Sequence, residues 1–277
     1  MIGILEALVF AVFAGLVGSI VGIGGSLILT PVLVFFGVPI QYAIGASMVA
    51  IVATSSGSAS SYVRDGLSNI RAAFYLEIFT AVGAIIGAVV TSYLVNGQTR
   101  YLYFFFAAFL LTSFYGIFSR KGGRAVAVQP DSLARSLKLE GTYFDKQSGT
   151  QVTYSLTRPL LAAPGMVVAG IAAGMLGIGA GAFKTSVQEI VMGMPTKVAS
   201  ATSNFIIGMT ALAGASVYIW SGLVYVNLAA VLAIGTTIGS FGGARVLPRM
   251  TNRSVRLLFM VVLVILIVEM LFKGVSA

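Results

Sequence analysis

The chain contains no cysteine and no histidine. It can form no disulfide, and it offers no thiolate nucleophile, no imidazole proton relay and no metal site built on His or Cys. Charge is scarce too: Asp, Glu, Lys and Arg make up 9% of 277 residues. With 58% hydrophobic residues and a mean hydropathy of +0.99, the composition excludes an ordinary soluble domain and is that of an integral membrane protein. No string of the form G-x-x-x-x-G-K-[ST] occurs, so the chain carries no P-loop ATP motor of its own. The net charge of +9 gathers in two connecting segments. One runs from Arg120 to Arg158, and the other holds Arg245, Arg249, Arg253 and Arg256. Basic residues confined between apolar runs read as topology signals rather than as a nucleic-acid surface.

What is present is a series of apolar runs long enough to cross about 30 Å of hydrocarbon. They cover residues 2–37 (interrupted), 40–63, 70–95 and 100–118, then 159–193 (interrupted), 198–219, 226–247 and 255–272. Lipid cannot satisfy a free backbone amide, so such runs are helices and the expected class is an all-α polytopic membrane protein. The first run carries Glu6 and no basic flank, so it is expected to remain as a membrane segment. Three regions follow: a membrane repeat at 1–118, a linker at 119–158 and a second repeat at 159–277. Alternation of apolar and polar residues about the Lys146 to Gly149 turn signal predicts a small β-hairpin in the linker, a structural cap on the cytoplasmic side.

The two halves repeat at an offset of 156 residues. Gly66-Leu67 meets Gly222-Leu223, Gly87-Ala88 meets Gly243-Ala244, and Arg100 meets Arg256. With one residue of slippage, Gly22-Ile23-Gly24-Gly25 meets Gly177-Ile178-Gly179-Ala180. Arg64 and Arg71 flank the connection after the second run, whose counterpart from Trp220 to Tyr225 is uncharged; one connection later the bias reverses. If basic connections stay in the cytoplasm, corresponding loops lie on opposite sides and the repeats are inverted. Inversion needs an odd number of crossings per repeat. The interrupted run is therefore expected to be a broken, re-entrant hairpin beside three transmembrane helices, its second limb spanning 26–37 or 182–193. A broken full span is the alternative.

The glycine strings at 22–31 and 174–184 break helices in mid-membrane. Glycine permits a tight reversal, and the helix N-terminus that follows leaves amides unpaired with a partial positive charge. Gly24, Gly25 and Ser26 in one half, and Gly179, Ala180 and Gly181 in the other, are thus candidate anion contacts. Close helix crossing is the other use of such glycines.

These tandem G-I-G-G and G-I-G-A-G breaks, Pro39, the string M-P-T-K-V-A-S-A-T-S-N from Met194 to Asn204 and the duplicated four-run pattern resemble the sulfite exporter TauE/SafE family. The resemblance implies a multi-pass carrier in the cytoplasmic (inner) membrane of a bacterium or archaeon. Its cargo would be sulfite, sulfonates or related sulfur-containing organic anions. Against the usual glycine run of the second repeat, this chain has Ala180.

Lys184 falls in the first turn of the second half-helix, where the dipole opposes a cation and an ammonium is poorly solvated, so something negative is expected beside it. A bound anion would serve, with Gln188 at i + 4 as a neutral donor. Snorkelling, or pairing with Glu189, is the other reading. Ser47 and Thr54 match Ser203 and Thr210, each pair on one helix face and able to contact an oxyanion; bonding to their own helices is the alternative. Asn204 joins the candidate list as a polar side chain in need of a partner. Glu77, Glu189 and Glu269 are the carboxylates available for proton coupling, although Glu77 near Arg71 and Glu269 near the last run's end are expected to reach an interface. Tyr218, Trp220 and Tyr225 read as one interfacial aromatic belt.

Three functions compete on these residues: an alternating-access carrier with one anion site, a passive anion channel, and a membrane hydrolase using Lys184 and Ser186, whose i, i + 2 spacing points them apart on a helix. The expected partners are a small anion, the lipid bilayer and a coupling proton. No cofactor, metal or nucleic acid is expected.

Overall fold

The computed structural model describes residues 3–21, 25–94, 99–118, 131–145, 149–246 and scattered helical positions between 257 and 272. In chain order the elements are α1 (Ile4–Val21), α2 (Ser26–Phe35), α3 (Ile40–Arg64), α4 (Ile70–Leu94), α5 (Thr99–Phe118), a short α6 (Ser132–Ser136), β1 (Glu140–Asp145) and β2 (Thr150–Ser155). The second half continues with α7 (Pro159–Leu176), α8 (Gly181–Ser186) leading into a π-helical turn (Val187–Val191), α9 (Thr196–Trp220) and α10 (Val226–Val246). The protein is an all-α polytopic membrane protein. Helices α3, α4, α7, α9 and α10 are long and apolar enough to cross a bilayer, and α1 and α5 are apolar as well.

Glycine holds the bundle together, because without a Cβ two helix backbones come into contact and gain dispersion along their length. The contacts recur in both halves. A Cβ on Gly83 or Gly87 of α4 would overlap the Val167 and Ile171 carbonyls of α7; one on Gly239 or Gly243 of α10 would overlap those of Val12 and Leu16 of α1. Likewise Tyr62 Oη donates to the Ser19 carbonyl at 2.9 Å, and Tyr218 Oη to that of Gly174 at 2.7 Å. Each half thus packs its first helix on the third-run helix of the other half, α1 on α10 and α7 on α4.

Directions follow from the same contacts. Helix α1 runs parallel to α10, with Leu8, Val12 and Leu16 beside Gly235, Gly239 and Gly243. Helix α10 runs parallel to α3, where Thr236 bonds the Ala50 carbonyl and Gly57 faces Ser240. The equivalent helices α3 and α9 run antiparallel: Ser55 lies beside Asn204 and Gly208, Met48 beside Gly214, and Gly45 beside Leu223.

Because α1 and α3 are parallel, α2 must return toward the end from which α1 started, and the Phe10 and Phe36 rings lie 5.4 Å apart. In the second half the return is closed by a hydrogen bond from Thr157 N, just before α7, to Met192 O at the end of the second limb, at 3.1 Å. The second limb is not the continuous helix over 182–193 that the sequence predicts. It winds as α8 and then as a π turn, which accommodates one residue more than an α-helix over the same rise. That extra residue accounts for the slippage between offsets of 155 and 156.

The linker forms the antiparallel hairpin β1–β2, with Glu140 opposite Ser155 and Asp145 opposite Thr150. It docks on one end of the bundle. Tyr154 Oη accepts from Asn69 Nδ2 at 3.2 Å, Asp145 pairs with Lys197 at 2.7 Å, and the Lys138 carbonyl accepts from Arg71 at 3.3 Å. Asn69 Oδ1 also accepts from Ala72 N, closing the first turn of α4. Arg64, Arg71, Lys197 and Arg245 all lie at this end, given the helix directions above. The opposite end holds exposed Trp220 and the stacked rings of Tyr42 and Tyr225, 4.1 Å apart. Arg249, Arg253 and Arg256 fall outside the described residues.

Candidate functional site

The four central threonines follow from the repeat. Thr80 and Thr236 occupy equivalent positions near the middle of α4 and α10, and Thr210 and Thr54 do so on α9 and α3. Helix α4 packs along α9, so Thr80 and Thr210 meet with their hydroxyls 3.1 Å apart. In the other half Thr236 and Thr54 both bond the Ala50 carbonyl, at 3.2 and 2.8 Å. The two arrangements differ in charge. Beside Thr80 and Thr210 lie Glu77 and Lys184, whose repeat counterparts are Ala233 and Leu29.

Lys184 is fully buried. Its Nζ donates to Thr210 Oγ1 at 2.7 Å, and Thr210 Oγ1 lies 2.9 Å from Glu77 Oε2, which it reaches as a donor. Thr80 donates to the same carboxylate oxygen at 2.9 Å. The ammonium and the carboxylate are thus joined through one hydroxyl in the interior. Isolated, each ion would cost several kcal/mol after removal from water, about that order even once the protein relaxes. Together, with two hydroxyls supplying hydrogen bonds, they neutralise one another. Glu77 Oε1 has no hydrogen-bond partner.

Lys184 stands one turn beyond the break between α7 and α8. Gly177, Gly179 and Ala180 all adopt left-handed backbone angles there. Glycine does so freely; Ala180, at φ 49°, carries strain of about 1–2 kcal/mol. The break is wedged between α3 and α9, with Gly177 against Ile44 and Gly179 against Ile207. Thr30 of α2 contacts the Gly177 carbonyl at 3.4 Å, so the two broken hairpins meet at this point. Ser203 Oγ contacts the Gly181 carbonyl at 3.4 Å, two turns before Thr210 on the same face of α9. The seven-residue spacing of Ser203 and Thr210 therefore matches the break and Lys184 in order. Gln188, in the π turn, is fully buried with neither amide atom hydrogen-bonded, and buried Ser47 Oγ is likewise without a partner.

The other candidates take the following places. Glu77 does not reach an interface: it is 5% exposed and turned into the bundle, while Arg71 points outward to the hairpin. Lys184 neither snorkels nor relies on Glu189, since its ammonium is directed at Thr210. Thr54 donates to the Ala50 carbonyl of its own helix, which also accepts from Thr236. Asn204 is engaged between helices, with Nδ2 donating to the Ser200 carbonyl at 3.0 Å and Oδ1 accepting from Ser58 at 3.4 Å. Tyr218 leaves the aromatic belt for the core, as its bond to Gly174 requires. Gly25 has the positive φ expected of a reversal, and a Cβ there would meet the Ala14 carbonyl at 2.8 Å, so it also packs closely against α1. Ser186 donates to the Ala182 carbonyl at 2.9 Å while Lys184 turns to Thr210, so these two form no nucleophile and base pair. Gly24, Glu269 and the Ser26 side chain lie outside the described residues. The missed participant is Thr80, and it carried one signal: a hydroxyl one turn from the Glu77 carboxylate within a long apolar run.

A multi-pass bundle of packed apolar helices, with broken helices at its centre and a buried lysine and glutamate bridged there by one hydroxyl, fits a membrane transporter. The chain matches the family model described as sulfite exporter TauE/SafE over residues 7–270, and it belongs to that family. It is similar to the probable membrane transporter protein YunE of Bacillus subtilis (strain 168), with 26% identity over 275 residues that cover 96% of this chain and 97% of the relative. It is also similar to the probable membrane transporter protein YdhB of the same organism, at 28% identity over 245 residues, 87% of this chain and 90% of the relative. No solved structure matches it.

Proposed function

We propose that the protein is a secondary transporter, an exporter of sulfite, small sulfonates or related sulfur-containing anions, in the inner membrane of a bacterium or archaeon. Its halves act as inverted repeats that expose one central site alternately to each side. The antiparallel packing of the equivalent helices α3 and α9 supports the inversion. The observation that carries the reading is the fully buried Lys184 beside the repeat-two break, an ammonium able to leave Thr210 for an oxyanion. Ser203 and the unpartnered Gln188 are neutral groups in the same limb and on the facing helix, suited to the remaining oxygens.

The test is equilibrium binding of sulfite and methanesulfonate to purified protein. Lys184→Met keeps length and apolar packing but deletes the charge. It should weaken binding by about 1–3 kcal/mol, roughly 5- to 150-fold, as expected for a charge-assisted hydrogen bond. Unchanged affinity for both anions would place the anion elsewhere. Counterflow in proteoliposomes, a saturable exchange of internal for external anion, distinguishes a carrier from a channel.

A further inference from the structure

The geometry points to Glu77 as a proton-binding site that loads when the anion binds, so that one proton travels with each monovalent anion. This inference rests on the reading of Lys184 as the anion's partner. In the arrangement described, Lys184 already has a counter-ion: the Glu77 carboxylate, reached through Thr210 Oγ1 over bonds of 2.7 and 2.9 Å. An anion that takes the ammonium removes that compensation. It would leave two negative charges facing one positive charge in a site that water does not screen, at a cost of several kcal/mol, about the size seen when one member of a buried pair is lost. Protonation of Glu77 restores neutrality.

The described surroundings offer no other remedy. Among the described residues, Glu77 and Lys184 are the charged side chains buried in the bundle. The groups that face Glu77 from its own helix and from α9 are hydroxyls, Thr80 and Thr210, and neither changes charge. The carboxyl can hold the proton where it stands: Oε2 keeps its two hydroxyl neighbours, and Oε1, without a partner, is free to carry the proton. When the site opens to water and the anion leaves, Oε1 returns the proton to solvent and the carboxylate again faces Lys184. Nothing is oxidised or reduced, and the proton enters and leaves as a hydrated proton. The repeat adds a stoichiometric argument. The equivalent positions are Leu29 and Ala233, which hold neither anion nor proton, so the chain has one such site rather than two.

Methanesulfonate is the probe, because it does not itself take up a proton at any relevant pH. Proton uptake on binding is measured in weakly buffered detergent solution, alongside affinity as a function of pH. Wild type should take up about one proton per anion, and over the range where uptake occurs its affinity should rise about tenfold per unit fall in pH. Glu77→Gln, a fixed mimic of the neutral carboxyl, should bind without proton uptake and without that slope. Should Glu77→Gln fail to fold, anion-induced infrared difference spectra of wild type supply the second readout, expected to show a protonated carboxyl appearing on binding. Wild-type binding with no proton uptake and no new carboxyl signal overturns the proposal. So does undiminished uptake in Glu77→Gln. If wild type binds neither methanesulfonate nor sulfite, the anion reading of Lys184 falls and takes the proton site with it.

Discussion

Lys184 and Glu77 belong to different halves of the chain and share a single hydroxyl, that of Thr210, at 2.7 and 2.9 Å. The pair exists because α4 and α7 to α9 interlock, so neither half can fold with its charge compensated unless the other is in place. The same pair joins stability to ligand binding.

Removing either charge alone should therefore destabilise the protein, and removing both should not. Lys184→Met or Glu77→Leu leaves one uncompensated buried ion, a change of about 3–5 kcal/mol where the remaining group stays charged. The double variant removes two desolvation costs along with the attraction between them. Thermal unfolding in detergent should show both single variants melting well below wild type and the double variant recovering most of the loss. Additive losses would mean that the two groups are not coupled.

The bundle's charged end is expected to face the cytoplasm. Because the chain lacks cysteine, single cysteines at exposed Ser132, beside the hairpin, and exposed Ser221, at the opposite end, report sidedness directly. A membrane-impermeant thiol reagent applied to intact cells should label Ser221→Cys and spare Ser132→Cys. The reverse pattern would invert the whole molecule.

Glycines at helix crossings should tolerate less than glycines at turns. A Cβ on Gly239 would overlap the Val12 carbonyl, and the α1 backbone cannot yield without separating the two helices. Gly239→Ala should thus reduce the yield of folded, monodisperse protein severely. Gly222 has φ 68° with nothing within reach of an added Cβ, so Gly222→Ala should cost only the strain of a left-handed residue, about 1–2 kcal/mol. Size-exclusion profiles and melting temperatures of the two variants make the comparison.

Asn69 ties the linker hairpin to the bundle and closes the first turn of α4 at once. Asn69→Ala should lose about 1 kcal/mol for each of these bonds and loosen the hairpin. Tyr154→Phe should lose only the contact with the hairpin. Limited proteolysis of the linker should accelerate in both, with melting lowered more in Asn69→Ala.

The order of the helices, the linker hairpin and the duplication were legible in the sequence, because each rests on local information: run length, period and turn residues. Lys184 was legible as well, since an ammonium inside an apolar run calls for a partner wherever it points. Its partner was not. Glu77 lies six residues from Arg71, close enough along the helix to suggest one interface. Six residues also turn a helix by about 240°, so the two side chains leave α4 about 120° apart, on different faces. Which side meets α9 and which meets the linker is decided by packing between segments 67 to 133 residues apart. The one-residue slippage between the repeats is visible in the sequence, yet its cause is the π turn, a choice of hydrogen-bonding partner that composition does not encode. Sequence alone determined that the chain is a duplicated membrane bundle with two breaks and a lone deep lysine. Tertiary structure decided that a carboxylate from the other half is that lysine's counter-ion, because only the interlocking of the halves brings the two charges to the same hydroxyl.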